Sequence, residues 1–205
     1  MEKIVILKEE YVIIQSKLIE DDFLVVHDCM KNEKNYQVLG IHGFDSERHK
    51  KRLFKNLLSL MVYVNKSALA TPRIVKIDKK QMFIVREVLA GDRIFDLLAK
   101  QDLGEDVLSK LFFSFKCAKS MGLNLDYNPA SFVWLNGKLY YNALVFVDYV
   151  QDKDLINNGL MLWFYTPEAV VQLTKLGYKK DSSRLKPRGE QNKEIVLSVY
   201  KHYNF

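Results

Sequence analysis

Cysteine is nearly absent from this chain, with two in 205 residues, Cys29 and Cys117, far apart and each among apolar neighbours. That usage excludes a disulfide-stapled scaffold and reads as two reduced, structural thiols. The four histidines, His27, His42, His49 and His202, share no metal-ligand spacing with cysteines or acids, so no zinc-type cluster is written in the sequence. No apolar run approaches the roughly 18 residues of a membrane-crossing helix. The segment MEKIVILKEEY breaks its apolar stretch with Lys3, Lys8, Glu9 and Glu10 and has no signal-peptide pattern. Internal repeats, low-complexity tracts and RNP-like, KH-like or zinc-finger motifs are missing as well. These absences lead to the expectation of a cytoplasmic protein without membrane association.

What remains is an ordinary globular mixture, 48% hydrophobic and 27% charged. A chain of this length buries roughly 70% of its unfolded surface, enough for one large domain or two small lobes. The net charge of +6 is unevenly placed. Arg48, His49, Lys50, Lys51 and Arg52 form one basic cluster, and Lys179, Lys180, Arg184, Lys186 and Arg188 form another. Either cluster can attract a phosphate-bearing, nucleic-acid or other polyanionic partner, and either also fits a solvated helix face or tail.

The first 43 residues read as an antiparallel β meander. Runs at 11–15, 23–27 and 36–42 are rich in β-branched and aromatic residues, with Glu20, Asp21 and Asp22 as a turn. A helix is expected over 46–65, capped by Asp45 or Ser46, because Leu53, Phe54, Leu57, Leu58, Met61 and Val64 recur at helical spacing. A hairpin over 73–77 and 82–88 follows, then a break at Gly91, a short helix over 94–100 and a strong amphipathic helix over 102–121 closed by Gly122. Beyond it lies 123–141, LNLDYNPASFVWLNGKLYY, a polar loop holding Asp126 followed by two apolar strands joined at Asn136-Gly137. Residues 144–147 continue the β pattern. Thr166-Pro167-Glu168 opens a helix to about Leu176, 178–189 is polar and basic, and a final helix spans 190–203. The expected fold class is α+β: residues 1–90 a β-rich lobe with one helix, residues 91–205 a mainly helical lobe with a hairpin. Trp134, Tyr140 and Tyr141 fit hairpin core better than base stacking. Asp126 taken alone fits a loop acid that hydrogen-bonds nearby backbone.

Three segments together resemble the protein-kinase-like fold, including its aminoglycoside and choline phosphotransferase branches. VREVLAGDRIFDLL at 85–98 is similar to the strand-to-hinge passage whose backbone holds adenine, which implies nucleotide contacts at Glu87, Leu89 and Gly91. LNLDYNPASFVW is similar to the catalytic loop H-x-D-L-x-P-x-N, with Asp126 at the catalytic acid and Ser131 at the metal-binding Asn. The Asn136-Gly137 hairpin resembles the one that precedes the second metal-binding Asp, and more weakly 165–169 resembles the segment after the activation loop. The resemblance implies a two-lobed protein that binds ATP with Mg²⁺ in the cleft between lobes.

Several family residues are replaced. Asn124 stands at the loop His, Ser131 at the Asn, and Ala143 at the metal-binding Asp, leaving Asp148 as the nearest acid. No glycine lies between Tyr11 and Phe23, no Lys occupies the third run, and Glu47, at the helix acid's place, lacks that partner. Metal ions and cations carry most of phosphoryl-transfer catalysis. The expectation is therefore a degenerate, pseudokinase-like protein that acts by binding. The alternatives are a basic α+β module for nucleic acid or another polyanion, and a diverged phosphotransferase using Asp126 and Asp148.

Overall fold

Three two-residue turns with positive φ at both positions set the β framework: Leu7-Lys8 (49° and 68°), Asn32-Glu33 (48° and 61°) and Asn136-Gly137 (51° and 72°). Turns of this handedness match the twist of the strands they join. The computed structural model describes residues 2–19, 23–43, 46–100, 103–144 and 146–163, with Thr174 and Lys201. Apart from Thr174 and Lys201, the helices expected over 166–176 and 190–203, the basic residues 179–188 and the 165–169 segment lie outside the described residues. The chain divides into two compact units, one of Met1–Ser67 and Thr71–Leu89, the other of Ala68–Ala70 and the described residues from Ala90 onward. Among the described residues no helix is long and apolar enough to cross a membrane.

The first unit holds β1 (Lys3–Ile6), β2 (Glu9–Ile19), β3 (Leu24–Lys31), β4 (Lys34–Ile41), α1 (Glu47–Asn65), β5 (Ile74–Asp78) and β6 (Phe83–Glu87). All pairings are antiparallel and the sheet order is β1-β2-β3-β4-β6-β5. Five strands were expected here, and β1 is the sixth. Its charged residues hid it, because as an edge strand it needs apolar side chains on one face only. Ile6, Tyr11, Cys29, Val38 and Val85 are buried together, with Ile4, Ile13, Tyr36 and Phe83 packed against them. The sheet is curled. Although β1 and β5 are opposite edges, Asp78 at the end of β5 accepts a hydrogen bond from Leu7 N–H after β1, and Lys76 on β5 pairs with Glu9 on β2. Helix α1 begins where Ser46 accepts from His49 N–H at 3.4 Å, and it buries Phe54, Met61 and Val64.

The second unit holds β7 (Asp92–Arg93), α2 (Ile94–Lys100), α3 (Glu105–Ser120), β8 (Leu123–Leu125), β9 (Phe132–Leu135), β10 (Lys138–Tyr141) and β11 (Phe146–Asp148). Helix α3 turns Val107, Leu108, Leu111, Phe112, Phe115 and Ala118 into the core, and Gly122 follows it at φ 71°. Two short sheets result: β9 pairs with both β10 and β7, and β8 pairs with β11. A π-turn at Leu155–Gly159 and a 3-10 turn at Leu160–Trp163 then bring Trp163 into the core, 1% exposed. The chain is thus α+β, with a curled antiparallel sheet and three described helices.

Candidate functional site

Strand β8 delivers Asp126 as the first residue beyond its end. The Asp126 N–H donates to Tyr141 Oη at 3.0 Å, which ties the loop to the last residue of the hairpin. Pro129 opens a single 3-10 turn, Pro129–Ser131, capped by Asn128, whose Oδ1 accepts from Ala130 N–H at 3.0 Å. Ser131 N–H returns to Asn128 O at 2.8 Å. This turn folds the loop back over five residues and sets Ser131 against the carboxylate. Asp126 Oδ2 accepts from the Ser131 hydroxyl, and Oδ1 accepts from Asn128 N–H at 3.1 Å. Asp126 is half-buried and Ser131 is buried. Both oxygens of the acid are therefore engaged by its own loop.

Aromatic packing holds the loop from below. The Trp163 indole N–H donates to Tyr127 O at 2.7 Å across 36 residues. Phe132 packs edge-on against Trp163 and Tyr141 at 5.2 Å each, Tyr141 against Phe146 at 5.3 Å, and Tyr127 against Phe115 at 5.8 Å. Asn124, on β8, donates from Nδ2 to Val150 O at 2.8 Å. Its Oδ1 and the Tyr127 hydroxyl are buried without a well-formed hydrogen bond among the described residues. Burial, only partly offset by the Leu125 backbone beside it and reinforced by Asp154, pushes the Tyr127 hydroxyl well above its usual range, so the group is neutral.

The other expected site residues fall as follows. Glu87 ends β6, where its carboxylate accepts from Arg73 N–H at 3.0 Å and pairs with the Arg73 guanidinium at 3.6 Å. Leu89 is half-buried and closes the first unit. Gly91 is required sterically, because a Cβ there would run into Trp134 O and the Val133 and Leu135 side chains of β9. Asp148 lies on β11 opposite Leu123, exposed, three residues along the strand from Asp126's end of the pair, which is roughly 10 Å. The fold brings Ser131 to Asp126 and does not bring Asp148 there. Glu47 pairs with Lys51 at 3.7 Å. Burial pushes the Cys29 thiol up to about 11, with Asp28 adding, and raises Cys117 also, so neither is a thiolate at neutral pH.

Sequence reasoning passed over Tyr127, Asn128 and Trp163. Asn128 carries a signal, since Asn before Pro is a turn initiator. Trp163 carries none, because its contact spans 36 residues.

A carboxylate bound to a hydroxyl and a backbone N–H can orient an incoming polar hydrogen. It is a poor divalent-cation site, since Mg²⁺ takes oxygen ligands in near-octahedral order and no pair of further acids joins Asp126 among the described residues. Among the described residues no group of three His, Cys, Asp or Glu side chains comes together to hold a metal. No protein-family model matches this sequence, and no curated protein matches it.

Proposed function

We propose that the chain is a degenerate protein-kinase-like protein that acts by binding and does not transfer phosphoryl groups. The observation that carries this reading is the Asp126 loop. An acid at the catalytic-loop place accepts one hydrogen bond on each oxygen, from Asn128 N–H and the Ser131 hydroxyl, and among the described residues no group of three acids, His or Cys gathers to hold a metal. The element order supports the kinase-like assignment. An antiparallel sheet with one helix between β4 and β5 is followed by a helix, the acid-bearing loop, a hairpin, and a strand that pairs back with β8. In this reading the two units are the two lobes.

The residues at the would-be metal positions do not fit Mg²⁺. Ser131 offers a hydroxyl already bonded to Asp126, Ala143 offers nothing, and Asp148 sits at the far end of β11. No chemical step is therefore assigned to a metal. The finer part of the proposal is a nucleotide contact along Glu87, Leu89 and Gly91 that does not depend on Mg²⁺.

The test is phosphotransfer from labelled ATP, with melting temperatures read with and without Mg²⁺. The expected result is no transfer above a protein-free control, and no added stabilisation from Mg²⁺ beyond that of ATP alone.

A further inference from the structure

We propose that the solvent face of α1 is a docking ridge for single-stranded nucleic acid. This stands independently of the kinase-like reading. At 3.6 residues per turn, Arg48, Arg52, Lys55, Ser59, Tyr63 and Lys66 fall within an arc of about 80°. All six are exposed, and the buried Phe54, Met61 and Val64 lie on the opposite side. The ridge from Arg48 to Lys66 is about 27 Å long at 1.5 Å per residue.

Among the described residues no ion pair compensates its charge. Glu47 is the helix's single acid, and it is committed to Lys51. Among the described residues Arg48, Arg52, Lys55 and Lys66 make no ion pair, and Arg52 touches only the His49 ring, at 3.4 Å. A row of cations repelling one another on one helix is stabilised by a linear polyanion.

Two further features select the polyanion. Tyr63 is 53% exposed in line with the cations, which gives a ring on which an unpaired base can stack. Asn56 and Ser59, also exposed, add polar groups for phosphate oxygens. A membrane surface is a poorer match, since the apolar face of α1 is turned into the protein and the ridge has no aliphatic side chain to insert. Helix α3 provides the contrast: its exposed Lys110 and Lys116 share the helix with Glu105 and Asp106.

The test uses the full chain and a fluorescein-labelled oligouridylate about twelve nucleotides long, within the usual range of single-strand site sizes. Anisotropy is followed between about 50 and 200 mM salt. Two double variants change the net charge equally: Arg52→Glu with Lys55→Glu on the ridge, and Lys110→Glu with Lys116→Glu on α3. All four positions are exposed, and melting curves verify folding. The ridge variant should weaken binding by about tenfold or more and flatten the log–log salt slope by about 1.4. The α3 variant should stay within about twofold, as expected of screened charges off the contact. Tyr63→Ala should weaken binding by about fivefold or more through lost stacking. The proposal is overturned by absence of binding at the lowest salt, by equal losses in the two double variants, by salt-independent binding, or by preference for duplex or for phosphatidylserine vesicles over the single strand.

Discussion

Asp78 and Asp126 each stand at the end of a strand, and each accepts hydrogen bonds from the turn that follows. Asp78 is 4% exposed, and its partners are all backbone: Lys80 and Gln81 N–H at 3.0 Å each, and Leu7 N–H at 3.4 Å from the far edge of the curled sheet. Asp126 is half-buried, with one backbone N–H and one side-chain hydroxyl as partners. The first acid is wholly consumed in closing a sheet. The second shapes a single loop while keeping part of its surface open. An acid's setting, more than its presence in a suggestive motif, decides what it can do.

The largest effect that would sharpen this contrast is on stability. Asp78→Ala removes a buried acceptor shared by three backbone N–H groups and should cost about 3 kcal/mol, whereas Asp126→Ala, half-exposed, should cost about 1 kcal/mol. Denaturant midpoints read this directly, and equal losses would break the distinction between the two acids.

A smaller effect belongs to the same sheet closure. Hydrogen bonds from Lys31 and Lys76, outweighing a modest desolvation, hold the Glu9 carboxyl down to about 2 from an ordinary 4.5. The folded-state value is the lower one, so between those limits the unfolded chain takes up the proton first. The resulting stabilisation is complete above pH 4.5 and is lost as the pH falls toward 2. Glu9→Gln should flatten that acid limb in thermal melts. An unchanged limb would remove Glu9 from the closure.

The smallest effect is expected at the base of the loop. The Tyr127 hydroxyl is buried without a well-formed hydrogen bond among the described residues, so Tyr127→Phe should change the unfolding free energy by under about 1 kcal/mol. A loss of about 2 kcal/mol would mean that the hydroxyl has a structural partner.

Periodic segments were the most legible part of this sequence. The apolar residues read at helical spacing, Phe54, Met61 and Val64 in α1 and Val107 to Ala118 in α3, supply their buried sides, although Phe113 is exposed, and the same period places Arg48, Arg52, Lys55, Tyr63 and Lys66 in one exposed row. Strand cores were readable but their lengths were not. β2 runs to Ile19 and β3 to Lys31, because polar residues are tolerated on a face that hairpin pairing already holds in place. Strand β1 was missed since its turn, Leu7-Lys8, adopts positive φ without the Asn or Gly that announces such a turn. At the candidate site, the loop around Asp126 was legible as a polar break before the hairpin, and the five-residue spacing to Ser131 was visible. That Ser131 points its hydroxyl at Asp126, and that Trp163 braces Tyr127 across 36 residues, depends on a 3-10 turn and on packing that no local pattern encodes.

Asp126 is held by its own loop, and the proposal that it performs no phosphoryl transfer is tested most directly by γ-phosphate release or transfer from Mg·ATP. The wild-type chain and Asp126→Ala are compared side by side with their melting curves. Both proteins should match the protein-free control. Turnover by the wild type that Asp126→Ala abolishes, with folding retained, would contradict the proposal.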